Sequence, residues 1–203
     1  KNLNLQNTII VFTSDNGGNN NSRWESRTKY LGASNAPYRH GKRWLYEGGI
    51  RVPLIIYDPI RKNMSKISLH PTIGTDIYPT LLQLAGLPLK PEVHIDGKSI
   101  VPMMDGVLAK KRFIERPFFW YYQTKSFALN PTEPYWSIIK GRWKLINYNF
   151  NQNEKTRMEL YDMLSDPFEK KNLIITAKNT SHMTEYRIMT AKNISHITER
   201  LSS

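Results

Sequence analysis

Cysteine is absent from all 203 residues, so disulfides, zinc thiolates and a cysteine nucleophile are excluded within this chain. The same absence leaves the redox compartment open. No apolar run reaches the length of about eighteen residues that a membrane-spanning helix needs. No basic-then-apolar leader opens the chain, and residue 1 is Lys1 rather than Met. Instead "KNLNLQN" leads at once into an apolar run, a start that suggests a piece of a longer polypeptide. Helix-turn-helix, zinc-finger and aromatic-basic RNA signatures are missing as well.

What is present is basic. Lys and Arg number 29 against 17 Asp and Glu, a net charge of +12. The clusters are short, Arg61-Lys62 and Lys110-Lys111-Arg112, and they are spread along the chain. A solvated basic surface is therefore expected, with no nucleic-acid partner. Such a surface would steer polyanions, sulfated glycans among them. Four N-glycosylation acceptor patterns, at Asn20, Asn63, Asn179 and Asn193, point weakly to a secretory route, extracellular or lysosomal.

The apolar pattern divides the chain into three parts. Thr8 to Phe12 and Arg51 to Pro59 read as strands covered on both faces in an α/β sheet, with a long polar loop over 17–41 between them. "GTDIYPTLLQLAGLP" predicts an amphipathic helix over about 76–85. Ile73, Ile77, Leu81 and Leu84, widened by Leu82, form its apolar stripe; Thr75 or Asp76 caps its start and Gly86 and Pro88 stop it. From Arg116 the texture changes to short aromatic and β-branched runs, the mark of a small antiparallel sheet. Lys140-Gly141 is read as the tip of a hairpin joining Tyr135–Ile139 to Trp143–Tyr148. The expected parts are 1–112, an α/β core; 113–175, an antiparallel subdomain; and 176–203, a tail. In the tail "TAKNTSHMTEYRI" recurs fourteen residues later as "TAKNISHITERL". Two copies build no solenoid; a peripheral helix or a recent duplication is the expectation.

Two motifs carry chemistry. "TSDNGG", residues 13–18, places Asp15 and Asn16 at the end of a strand, where ligands bind in open α/β sheets. A carboxylate and an amide carbonyl are hard oxygen donors suited to Ca²⁺ or Mg²⁺, although Asp-Asn-Gly is also ordinary turn chemistry. "HGKRWLYEGGIRVP", residues 40–53, brings Lys42 shortly before paired glycines. Its ammonium suits a tetrahedral anion, and a solvated loop lysine is the other reading.

Together these motifs resemble the type I sulfatase family in its second half. The later "DIYPTLLQLAGLP", "DGKSIVPMMDG" and "ELYDMLSDPFEKKNL" resemble further landmarks of that family in the same order, over about residues 7–174. The resemblance implies an alkaline-phosphatase-like α/β sheet core, here its C-terminal part, followed by a small four-stranded antiparallel β subdomain with a helix. It implies hydrolysis of sulfate esters by a formylglycine beside Ca²⁺. Asp15 and Asn16 then complete the metal shell, Lys42 contacts the sulfate as a catalytic and substrate-binding residue, and Glu47, Gly48 and Gly49 are structural members of the loop. The family's C-x-P-S/A-R nucleophile motif is absent, and Ser137 and Ser165 lack its context. The formylglycine, the paired aspartates and the missing N-terminal half are thus expected upstream of Lys1, and this chain alone is expected to be inactive. His40, His70 and His94 match no family position and are given loop roles. The alternatives are a non-catalytic sulfate- or glycan-binding remnant, and a phosphodiesterase or phosphatase of the same superfamily.

Overall fold

A computed structural model of the chain describes residues 5–19, 33–61, 67–105, 116–122, 135–148 and 157–176. The four acceptor asparagines, much of the loop over 17–41 and the repeat-bearing tail lie outside the described residues. Two compact units result, one built from residues 1–15 and 52–116, the other from 16–51 and 117–203.

The first unit holds strands β1 (Ile10–Thr13) and β2 (Leu54–Tyr57), paired antiparallel with Ile10 opposite Tyr57 and Phe12 opposite Ile55. Directly opposed residues share a face. These four are 41%, 47%, 59% and 60% exposed respectively, so one whole apolar face lies open. The expectation of strands covered on both faces is corrected here: Val11, Leu54 and Ile56 on the other face are half-buried. A continuous β-branched run specifies what a strand can bury, not how many layers are at hand to bury it.

A 3-10 turn, Gly74–Asp76, runs into helix α2 (Ile77–Leu84), and a short helical turn α3 (Val101–Met104) follows. The predicted boundaries agree with these, and Gly86, at φ +69°, ends α2 as its pattern requires. The buried face differs from the expected stripe. Asp76, Pro79 and Thr80 point inward, whereas Leu81 is 40% exposed. The reason is polar. Arg116 grips both oxygens of Asp76 at 2.8 and 2.6 Å, and the backbone N–H groups of Ile73 and Lys98 donate to the same carboxylate. Thr80, one turn on, accepts from the Ile100 N–H at 3.1 Å and donates to the Asp76 carbonyl. A bidentate, fully satisfied carboxylate outweighs an apolar stripe in orienting a two-turn helix.

The second unit is built on a four-stranded antiparallel meander: β3 (Phe118–Tyr122), β4 (Tyr135–Lys140), β5 (Trp143–Tyr148) and β6 (Arg157–Asp162). The β4–β5 hairpin closes with Lys140 opposite Trp143, and Gly141 supplies the positive φ of +58° at its tip. The register sorts side chains by period two. One face carries Tyr135, Ser137, Lys144, Ile146, Tyr148, Glu159 and Tyr161; the other carries Ile138, Leu145 and Leu160. The second face packs against Leu173 and Ile174 of helical turn α4 (Leu173–Thr176). The first packs against Leu45 and Tyr46 of a loop that contains Lys42.

Candidate functional site

The strand β1 ends at Thr13, and the chain then turns through Ser14, Asp15 and Asn16 to two glycines. Asp15 and Lys42 are exposed and Asn16 is half-buried. Asn16 and Lys42 lie on loops of the second unit that backbone hydrogen bonds lace together. The Lys42 N–H donates to the Gly18 carbonyl at 3.0 Å, and the Gly17 N–H donates to the Gly49 carbonyl at 2.9 Å. Gly48 N–H in turn donates to the Arg39 carbonyl at 2.9 Å. Segments 16–18, 39–42 and 48–49 thus share one backbone framework. Asn35 adds a clasp: its Oδ1 accepts from the Gly18 N–H and its Nδ2 donates to the Gly18 carbonyl, both at 2.8 Å.

The approach is close enough to require glycine. A Cβ on Gly17 would stand 1.8 Å from the Gly48 carbonyl oxygen, and one on Gly49 would stand 2.0 Å from the Trp44 carbonyl oxygen. No side chain fits between peptide groups at such distances. The residues on either side of Gly41-Lys42 are held off the ordinary backbone regions: His40 has φ +56° and Arg43 φ +77°. A non-glycine residue in the left-handed region persists only where its surroundings over-determine it, and such positions cluster at functional sites.

The surroundings that do so come from the first face of the sheet. Glu47 opens the helical turn α1 (Glu47–Ile50) and is buried. Its Oε1 accepts from the Lys144 ammonium at 2.9 Å, its Oε2 meets Arg51 at 3.2 Å, and its backbone N–H donates to Glu169 Oε2 at 2.8 Å. Lys144, with no exposed side-chain surface, pairs also with Glu169 Oε1 at 2.7 Å. Burial pushes the Glu169 carboxyl up, against the pull of Lys144. Beside this group Arg39 donates to the Tyr161 hydroxyl at 2.8 Å and lies 3.9 Å above the Tyr46 ring centroid. His40 stacks on Trp44 at 4.3 Å and on Tyr46 at 5.0 Å. Burial, then the neighbouring Arg39, lowers its pKa, which favours the neutral imidazole. His40 is a packed loop residue, as expected. His94, whose ring meets the Lys90 N–H and the Gly97 carbonyl, likewise serves its own loop.

Asp15 and Asn16 offer hard oxygens, whereas Ca²⁺ takes about six to eight. Among the described residues no group of three or more His, Cys, Asp or Glu side chains could hold a metal ion. Sequence reasoning missed Asn35, Arg39, Lys144, Glu159 and Glu169, all of which hold the loops. No local signal marks them, because their partners lie far away in sequence.

A family model described as N-sulphoglucosamine sulphohydrolase, C-terminal, matches residues 38–195. A sulfatase of Formosa agariphila is 32% identical over 88% of this chain and 30% of its own length. Human steryl-sulfatase is 37% identical over 57% of this chain and 19% of its own length. The chain therefore spans from about a fifth to less than a third of the curated relatives it matches. A solved structure of BT4656 in complex with its substrate D-glucosamine-2-N,6-O-disulfate superimposes with a TM-score of 0.65 at 24% identity. It covers 91% of this chain and 34% of that one, and at that identity it shows the fold alone. The motif order, the sheet subdomain bracing the lysine loop and a family match over most of its length agree: the chain belongs to the sulfatase family, to whose C-terminal portion it corresponds.

Proposed function

We propose that this chain supplies part of the site of a sulfuric ester hydrolase, with Lys42 contacting the sulfate and Asp15 and Asn16 ligating Ca²⁺. The observation that supports this reading is the Lys42 N–H bonded to the Gly18 carbonyl, which ties the lysine loop to the loop that begins at Asn16. An exposed ammonium on an over-determined loop is a preorganised positive charge, and charge moves onto the ester and sulfate oxygens as the S–O bond breaks. A bound Ca²⁺ would add fixed positive charge there, with Asp15 and Asn16 as the oxygen donors this chain offers.

The nucleophile is assigned elsewhere in the polypeptide. No cysteine occurs, and no serine stands in a C/S-x-P/A-S/A-R context. These residues alone are therefore inactive in this reading, and the nucleophile and the remaining ligands come from outside them. The substrate class is a sulfate ester, and a sulfated amino sugar fits both the matched family's name and the basic surface. The four acceptor asparagines accord with a secretory route; a glycosidase-induced gel shift after expression in a secretory host supports it, and no shift counts against it.

The test is an assay of the polypeptide encoded by the complete transcript, with an aryl sulfate, an aryl phosphate and a sulfated hexosamine. Turnover of sulfate esters that a chelator abolishes is expected. Turnover of the phosphate alone moves the protein to phosphoryl transfer, and no turnover of any of them leaves a binding remnant.

A further inference from the structure

The buried Glu47–Lys144–Glu169 cluster is not explained by stability. Burying a lysine and two carboxylates removes three charges from water, and apolar residues of similar volume commonly serve a fold as well or better. Lys144 is 0% exposed and Glu169 1%, so the desolvation is nearly complete. An ordinary sheet face would carry an aliphatic residue at the Lys144 position, as the opposite face does with Ile138, Leu145 and Leu160.

What the cluster does provide is geometry. Glu47 is gripped at three points: its backbone N–H by Glu169, one carboxylate oxygen by Lys144 and the other by Arg51. Two residues on, Gly49 accepts the Gly17 N–H, and the next residue, Gly18, accepts the Lys42 N–H. Hydrogen bonds of 2.9–3.0 Å, linked by short stretches of backbone, therefore join Lys144 near the start of β5 to the lysine loop. Glu169 itself sits in the left-handed region at φ +57°, and its two oxygens meet different partners, Lys144 and the Glu47 N–H.

We infer that Lys144 is a positioning residue: its paired charge with Glu47 and Glu169 sets the placement of the Lys42 and Asn16 loops. What Lys42 then contacts rests on the sulfatase reading; how it is held does not.

Hydrogen exchange on the full polypeptide separates the two. In a variant with Glu47→Gln, Lys144→Met and Glu169→Gln together, no unpaired buried charge remains, so the sheet keeps its thermal midpoint. Exchange in peptides covering Gly17 and Lys42 rises about tenfold, while amides of β4 and β5 stay protected. Turnover falls about 100-fold in kcat with a smaller change in KM, as for a misplaced group. Lys144→Arg, which keeps both ion pairs, recovers part of both readouts. Wild-type exchange at Gly17 and Lys42 in the triple variant overturns the proposal. If that variant does not fold, Glu169→Gln is read instead, since its amide oxygen still accepts from the Glu47 N–H; unchanged exchange at Lys42 there overturns the proposal equally. A wild-type polypeptide without sulfatase activity sinks the sulfatase reading alone, because the exchange result still decides the positioning.

Discussion

The Tyr46 hydroxyl donates to Glu159 Oε2 at 2.6 Å across 113 residues of chain, and the Tyr161 hydroxyl donates to the same oxygen at 2.7 Å. One buried carboxylate thus holds a phenol of the lysine loop and a phenol of the sheet. Burial and the bond to Glu159 push both phenols up, so they remain protonated donors throughout the ordinary pH range.

Tyr46→Phe removes one donor from that carboxylate while leaving the ring in its stack. The expected cost is about 1–2 kcal/mol, a hydrogen bond to a charged acceptor in a buried place. Urea denaturation measures it. A variant as stable as wild type would mean that Tyr161 and Arg39 satisfy Glu159 unaided.

Gly49→Ala brings a methyl group against two carbonyl oxygens, those of Trp44 and Gly41, at 2.0 and 2.5 Å. Both are backbone, so neither can rotate away. A loss of about 1–3 kcal/mol is expected, as for other overpacked sites. Gly74→Ala is the control, because its added Cβ meets nothing within 4 Å. Equal thermal midpoints for the two variants would refute the packing argument.

Lys42→Ala in the complete protein lowers turnover of an aryl sulfate by about 100-fold and leaves the thermal midpoint in place, since the side chain is exposed. A midpoint that falls with the activity would make Lys42 structural. Asp15→Ala weakens Ca²⁺ binding measured by calorimetry, and Asn16→Ala weakens it less, because a neutral carbonyl attracts a cation less than a carboxylate does. Unchanged affinity in Asp15→Ala rejects that assignment.

At the β4–β5 turn the Arg142 guanidinium grips Asp162 at the end of β6, with Ser165 and the Leu164 N–H adding to the hold, and the carboxyl falls from 3.8 to about 2. The folded value lies below the unfolded one. The contribution is therefore complete above about pH 4 and is lost as pH falls toward 2. Thermal midpoints of wild type and Asp162→Asn should converge across that window. A constant gap between them would show that the pair does not titrate as described.

Local features were legible in the sequence. Gly141 announced the β4–β5 tip because a tight hairpin needs a positive φ, and Gly86 announced the end of α2 for the same reason. The coverage of β1 was not legible, since Ile10 and Phe12 declare only an affinity for burial. The inward turn of α2 was hidden too: Asp76 looked like a cap, and nothing near it revealed Arg116, forty residues on. The lysine loop showed its glycines but not its braces. Lys144 reads as one polar residue in a strand pattern, and its partners are 97 residues before and 25 residues after it.

That separation has a consequence for synthesis. Glu47 leaves the ribosome 97 residues ahead of Lys144 and 122 ahead of Glu169. At about 5–20 residues per second the loop waits roughly 5–25 seconds for the groups that fix it. During that interval Glu47 is hydrated, and the Lys42 ammonium samples many directions. The hold on Glu47 is thus completed late, by Lys144 of β5 and then by Glu169 beyond β6. A nascent chain stalled before Glu169 carries every residue of the two glycine-bearing motifs but lacks the carboxylate that accepts the Glu47 N–H.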